Sequence, residues 1–322
     1  MQALYIEQHG PIENLHVSDI PAPSIGAGQV LVEVLAAGVN PSDIVSAEGR
    51  FPQAVLPRVL GRDFAGKVVQ GPPEILGSDV WGSGGDLGIT HNGTHAEFVG
   101  LPRDAVALRP TNISVEEAGA AGVPFVTAWI AAVEYGRLQK DECVIVSGAA
   151  GAVGLAATEI ALALGARVIA LVLDEREAQR LDKSRLAGIA RSDLSNLVDI
   201  VKDVTGGRGA DLALNGVGAP IFQIMFDSLA PAGRMTVYSA VAGREVTLDL
   251  FALYRNRLQV FGINTAVAHA VECARILTQL KPLFESAQIR PIPVLERYPL
   301  SQAAKAYERV RETPPGKIVL GH

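Results

Sequence analysis

Gly148, Gly151 and Gly154 fall at the spacing G-x-x-G-x-x-G, directly after the apolar run Val144-Ile145-Val146. Small residues so spaced are suited to bringing backbone N–H groups against an anion. The first two glycines permit a tight turn, and the third lets a following helix pack close to the preceding strand. Ala156, Ala157, Ile160, Ala161 and Leu164 then recur at helical spacing, so the N-terminus of that helix would turn its partial positive charge on a pyrophosphate. Another strand-like run, residues 167–173, ends at Asp174. Strand, glycine turn, helix and strand in this order imply a dinucleotide site at Gly148, Ala149, Gly151, Ala152, Val153 and Gly154.

The elements around this turn alternate. Strands are expected at 143–147, 167–173, 212–214, 234–238 and 259–261, with helices at 154–164, 176–185, 195–205 and 220–229. That pattern is a doubly wound parallel sheet. Residues 1–118 read differently, as short strands such as 29–35, 64–69 and 96–99 punctuated by Pro and Gly. A helix over 116–135, capped by Ser114 and kinked or divided at Pro124, links the two patterns. The tail reads as helix 267–280, strand 292–298, helix 301–311 and strand 317–320, and is expected to complete the first domain. The fold class is therefore α/β, with a β domain formed by 1–118 and 264–322 and a nucleotide-binding domain over 119–263.

Bulk properties exclude several functions. With 48% hydrophobic and 19% charged residues in 322, the chain has ample core-forming residues. A net charge of −6 without a Lys/Arg cluster gives no footprint for nucleic acid. Cys143 and Cys273 are too few for a disulfide framework or a cysteine-rich zinc site, and the six histidines lack metal-ligand spacing, so no metal is expected. The N-terminal residues show no leader, and the apolar stretch 118–133 is short for a membrane span, so a cytoplasmic protein without membrane contact is expected.

Several ordered motifs together resemble the medium-chain dehydrogenase/reductases, and within them the zinc-free NADPH:quinone oxidoreductase branch that includes zeta-crystallin-like proteins. They are Ala37-Gly38-Val39-Asn40-Pro41-Ser42-Asp43, Leu60-Gly61-Arg62-Asp63-Phe64-Ala65-Gly66, Gly93-Thr94-His95-Ala96-Glu97-Phe98, Val123-Pro124-Phe125-Val126-Thr127-Ala128, Gly209-Ala210-Asp211, Leu229-Ala230-Pro231-Ala232-Gly233-Arg234 and Gly316-Lys317-Ile318-Val319-Leu320. The resemblance implies a GroES-like β domain plus a Rossmann domain, and a homodimer paired through the sheet edge near 259–261. Positions that hold catalytic zinc in related alcohol dehydrogenases carry Asn40, Arg62 and Val123 here, and residues 70–78 replace the structural zinc lobe. The implied activity is hydride transfer to a quinone or α,β-unsaturated carbonyl, a small hydrophobic electrophile; the alternatives are an alkenal or enone double-bond reductase and a crystallin-like binder with little turnover. Asn40 is then expected at the nicotinamide and acceptor, Asp43 as its orienting neighbour, Thr127 as a cofactor contact and Arg62 as a cation near a developing oxyanion. Asn40 could instead cap its turn, and Arg62 and Asp63 could form a structural ion pair. Phe51 stands where quinone reductases often carry tyrosine.

The resemblance implies NADPH, with NADH as the alternative. The position expected to hold a ribose-binding carboxylate is Leu173, followed by Asp174, Glu175, Arg176 and Glu177. Arg176 or Arg191 would hold a 2′-phosphate; Asp174 would bind the ribose of NADH. Further cofactor contacts are implied at Asn215, Val217, Ser239, Ile263 and Lys317.

Overall fold

The computed structural model describes residues 1–321, and the chain divides into two compact units, Met1–Val126 with Thr265–His322, and Thr127–Asn264. The first division therefore falls at 126/127, inside a helix, where the sequence pattern placed it at 118/119. In the first unit the chain runs β1 (Gln2–Ile6), β2 (Val17–Asp19), β3 (Gln29–Val39), α1 (Pro41–Ala47), β4 (Arg58–Val59), β5 (Asp63–Gln70), β6 (Asp79–Ser83), β7 (Phe98–Pro102) and β8 (Ala107–Leu108), then α2 (Val115–Trp129). β3 is the hub, pairing antiparallel with both β5 and β7. Its Val30, Val32 and Val34 enter a core with Leu4, Ile12, Leu60, Phe64 and Val80. The sequence pattern missed β1, β2 and β4, which form a separate three-stranded sheet: β2 and β4 are too short to show a periodicity, and β1 buries the neighbours Ala3 and Leu4 instead of alternating.

α2 is capped reciprocally: Glu117 N–H donates to Ser114 Oγ (3.1 Å) and Ser114 N–H to the Glu117 carboxylate (2.8 Å). It runs through Pro124 without dividing and passes into a π-helical segment, Ile130–Tyr135. By length and composition Val115–Tyr135 is apolar enough to cross a bilayer, but 72% of its apolar window is buried in the protein, as in a core helix.

The second unit contains β9 (Cys143–Ser147), α3 (Ala152–Ala163), β10 (Arg167–Val172), α4 (Glu175–Ala178), β11 (Gly188–Arg191), α5 (Leu197–Thr205), β12 (Ala210–Asn215), α6 (Ala219–Asp227), β13 (Leu229–Val237), α7 (Leu250–Arg255) and β14 (Gln259–Gly262). The six strands are ordered β11-β10-β9-β12-β13-β14 and every pairing is parallel, the expected doubly wound sheet. The helix expected over 176–185 is corrected: α4 is one turn, and only Lys183–Arg185 returns as a 3-10 turn. Ala178 and Leu181 alone are buried there, too little apolar face to hold a longer helix.

The first unit is completed by α8 (Ala270–Glu285), β15 (Val294–Pro299), α9 (Ala303–Arg311) and β16 (Lys317–Gly321). β16 pairs antiparallel with β3, with Ile318 opposite Val39, so the tail does return to the first sheet. α8 extends beyond its expected end because Phe284 packs against Phe125 (4.9 Å between centroids) and Trp81 (5.6 Å). The crossing of β5 over β3 leaves no room at Gly66, where a Cβ would lie 1.9 Å from the Glu33 carbonyl oxygen. Gly66→Ala is expected to lower stability by about 2 kcal/mol or more, because the obstructing atom is backbone; thermal denaturation matching the unsubstituted protein would contradict this packing.

Candidate active site

Two constellations, one in each unit, carry the groups suited to chemistry. In the first unit Asn40 stands between the end of β3 and Pro41, the first residue of α1. Its backbone N–H donates to the Asp43 carboxylate (2.7 Å), closing the helix start. Its side chain is held at both ends: Nδ2 donates to Asp63 Oδ2 (2.8 Å), and Oδ1 accepts from Lys317 Nζ (2.5 Å). Lys317 also donates to the Val39 carbonyl (3.2 Å), while Asp63 Oδ1 accepts from Ser83 Oγ (2.7 Å) and Val123 N–H (2.8 Å). All these side chains are buried except Val123, which is partly so. Gly122 makes the approach of α2 feasible, since a Cβ there would stand 2.3 Å from Asp63 Oδ1.

Burial dominates the electrostatics. It raises the Asp43 carboxyl to about 6 against the opposing Asn40 N–H, Arg62 and Lys317, and it raises Asp63 despite Lys317, Ser83 and Asn40. It also lowers the Lys317 ammonium against the pull of Asp63 and Asp43. His95, expected to be structural, lies in the same interior, with Nδ1 2.9 Å from the Tyr307 hydroxyl and Nε2 3.3 Å from the Gly38 carbonyl; burial lowers it to about 4.

Three expectations change here. Arg62 makes no ion pair with Asp63; its guanidinium donates to the Gly84 carbonyl (2.9 Å), Ser42 Oγ (3.3 Å) and the Thr265 carbonyl (2.9 Å). Asp43 orients the Asn40 backbone, whereas Asp63 and Lys317 orient its carboxamide. Lys317, expected among the cofactor contacts, is directed into this interior cluster. Thr127 is buried on α2, one turn beyond Val123. Sequence reading passed over Asp63, Ser83 and Tyr307 as partners because they are 20 or more residues from what they touch; the only local signal was Asp63's place beside Arg62.

In the second unit the glycine turn closes as its spacing requires. Gly148 has φ +56, Gly151 N–H donates to the Gly148 carbonyl (2.9 Å), and a Cβ on Gly154 would stand 2.2 Å from that same carbonyl oxygen. Gly151 precedes α3 and offers no side-chain cap, so the first-turn N–H groups at Ala152, Val153 and Gly154 have no acceptor within the helix. Val217 reaches this turn, its Cγ2 3.7 Å from the place of a Gly148 Cβ. Asn215 shapes the adjoining loop: its Oδ1 accepts from Val217 N–H (3.0 Å) and Gly218 N–H (2.8 Å), and its Nδ2 donates to the Gly218 carbonyl (3.2 Å). Ser239 follows β13, and Ile263 N–H bonds the Val237 carbonyl (2.9 Å) beside it.

The residues expected to choose between cofactors separate. Asp174 caps α4 by accepting from Glu177 N–H (3.0 Å), and Leu173 is exposed. Arg191 is already paired with Asp193 (2.7 and 3.0 Å) and Glu175 (3.0 Å), which corrects its expected role as a free phosphate-binding cation. Arg176 is exposed and makes no ion pair among the described residues.

Residues 26–111 match the family described as alcohol dehydrogenase GroES-like domain, and residues 152–278 the family described as zinc-binding dehydrogenase. A zinc-type alcohol dehydrogenase-like protein of Schizosaccharomyces pombe is 30% identical over 95% of this chain and 92% of its own length. Solved structures that cover the whole chain and are themselves wholly covered include an NAD-dependent alcohol dehydrogenase (29% identical, TM-score 0.89) and a mycobacterial quinone oxidoreductase (27% identical, TM-score 0.86).

The second family description implies zinc, and the residues present do not fit it. Zinc binds thiolate, imidazole or carboxylate. The three positions that the resemblance matches to zinc ligands hold instead a carboxamide engaged at both ends, a guanidinium and an apolar Val123. The nearby carboxylates, Asp43 and Asp63, share their interior with the cations Arg62 and Lys317, which would repel a dication. Among the described residues no three His, Cys, Asp or Glu side chains group to hold a metal.

The opposite shifts of Asp43 and His95 have a consequence for stability. Asp43 titrates at 3.8 ordinarily and about 6 when folded, so its contribution is present below 3.8 and lost as pH rises through 6. His95 titrates at 6.5 ordinarily and about 4 when folded, so its contribution is present above 6.5 and lost as pH falls through 4. The two oppose each other across the same range. Asp43→Asn removes one of them, and denaturant-measured stability should then rise more steeply with pH from 4 to 6.5 than in the unsubstituted protein; parallel profiles would refute the assignment.

Proposed function

The chain belongs to the medium-chain dehydrogenase/reductase superfamily, and we propose that within it this protein is a zinc-independent NAD(P)H reductase passing hydride to a quinone or α,β-unsaturated carbonyl. The observation that supports this reading is the Lys317–Asn40–Asp63 chain of hydrogen bonds, which engages both ends of the Asn40 carboxamide, a side chain that the resemblance matches to a zinc-ligand position. An alcohol substrate needs a Lewis acid for its alkoxide, and this chain offers none of its usual ligands at those positions. A conjugated acceptor spreads its developing charge over several atoms and needs chiefly positioning and a hydrogen-bond donor.

The dinucleotide, when bound, supplies the hydride. Gly148, Ala149, Gly151, Ala152, Val153 and Gly154 would hold its pyrophosphate, with Val217, Ser239, Ile263 and Thr127 as further contacts. Lys317 and Asp63 fix which end of the Asn40 carboxamide faces which partner, and one Asn40 N–H remains as a donor for the acceptor oxygen. Arg62 contributes a buried positive charge to the same interior. Arg176, with no competing carboxylate bonded to it, supports NADPH; Asp174, which caps α4 through Oδ1, keeps NADH as the second reading. Phe51 supplies no hydroxyl, which leaves open the alternative of a binder with little turnover; an alkenal or enone double-bond reductase is the alternative within the enzyme class.

We also propose a homodimer. β14 ends the parallel sheet with one edge unpaired, and Leu250, Phe251, Tyr254 and Val260 are exposed around it. Light scattering should give twice 33.8 kDa, and Val260→Lys should shift it toward one chain; a monomer in the unsubstituted protein defeats this reading.

Titration with NADPH and NADH, followed by addition of 1,4-benzoquinone or an enone, tests the activity. Acceptor-dependent oxidation of bound NADPH is expected. Arg176→Glu should weaken NADPH by about tenfold, the scale of one charge-assisted hydrogen bond, while leaving NADH unchanged. Binding without oxidation by any quinone or enone would move the non-catalytic reading forward.

A further inference from the structure

Among the described residues four buried side-chain polar atoms have no hydrogen-bond partner: Trp81 Nε1, Thr158 Oγ1, Thr236 Oγ1 and the Tyr238 hydroxyl. The first three lie inside β6, α3 and β13. Tyr238 alone lies past a strand end, immediately after β13, at the carboxyl edge of the parallel sheet. Its ring occupies the space that a side chain at residue 216 would take. A Cβ on Gly216 would stand 2.5 Å from Tyr238 Cε2 and 2.6 Å from the hydroxyl oxygen.

Gly216 opens the loop after β12, and the next residue, Val217, is the one that reaches the glycine turn at Gly148. The hydroxyl therefore sits at the same end of the sheet as the dinucleotide turn. Nearby N–H groups are already committed: Tyr238 N–H donates to the Asn215 carbonyl (3.1 Å), Gly216 N–H to Ser147 Oγ (2.9 Å) and Ala242 N–H to the Val217 carbonyl (3.2 Å). Native proteins retain few unpaired buried hydroxyls, since each forfeits its hydration. Burial also raises this phenol well above its ordinary value, so at neutral pH it is a donor.

In a doubly wound sheet a dinucleotide lies across the carboxyl ends of the strands, with its adenosine half on the side of β9, β10 and β11 and its other half on the side of β12 and β13. We propose that the Tyr238 hydroxyl donates a hydrogen bond to the nicotinamide half of the bound dinucleotide, so that a group unpaired in the free protein becomes paired in the complex. This rests on the reductase reading above. The oxygen is closed to solvent, so the contact requires the turn from Gly216 to Gly218, held by Asn215 and Ser147, to shift when the ligand binds.

Tyr238→Phe keeps the ring over Gly216 and removes only the unpaired oxygen. Its melting temperature without ligand should equal or exceed that of the unsubstituted protein. Its affinity for NADPH, or for NADH if that binds tighter, should fall about fivefold, the scale of one net hydrogen bond. Affinity for the matching adenosine fragment, 2′,5′-ADP or ADP, should not change. Three results would overturn the proposal: unchanged dinucleotide affinity, an equal loss for the fragment, or a lower melting temperature of the free protein, which would reveal an existing partner. If the unsubstituted protein binds neither dinucleotide, the reductase reading falls and this inference with it; equal binding by both proteins defeats the inference alone.

Discussion

The buried ammonium of Lys317 against the carboxamide of Asn40 is the interaction on which the first unit's interior depends. It joins the last strand of the chain to the junction of β3 and α1, and through Asp63 it reaches β5, Ser83 and the N–H of Val123. Two carboxylates and two cations share this interior, so neither sign is left uncompensated by its neighbours. Removing a single charge would leave its partner buried and unpaired, which is the costly outcome for such sets. The same cations disfavour a metal dication beside Asp43 and Asp63, and the Asn40 carboxamide is held in one orientation between Lys317 and Asp63.

The second unit depends on close backbone approach instead. Gly154 sits where any side chain would meet the Gly148 carbonyl, and Gly216 sits where any side chain would meet the ring of Tyr238. Both glycines serve the carboxyl edge of the same parallel sheet. Ser147 ties these loops together, donating to the Leu214 carbonyl (3.0 Å) and accepting from Gly216 N–H. The first unit is thus built around compensated charge, the second around absent side chains.

Local patterns in the chain already disclosed the glycine turn, the parallel sheet and the return of the tail to the first sheet. Each is written in adjacent residues: alternation and apolar runs for strands, small residues for the turn, a strand-forming end after a helix. Residues 176–185 misled because helix-compatible residues there have too little buried face to sustain a helix. Arg191 misled because a cation's availability depends on its neighbours, and Asp193 and Glu175 had already engaged it.

The sequence by itself determined the two-part α/β architecture and the dinucleotide turn, because residue identity and short-range spacing suffice for these, while the match of Asn40, Arg62 and Val123 to zinc-ligand positions rests on the family resemblance. Only the tertiary structure decided what those residues do. It placed Lys317 on Asn40 across 277 positions of chain, gave Arg62 to three oxygens instead of Asp63, and left the Tyr238 hydroxyl without a partner. Hydrogen bonding and desolvation depend on which atoms are within about 3 Å, and folding brings together atoms that the order of residues keeps far apart.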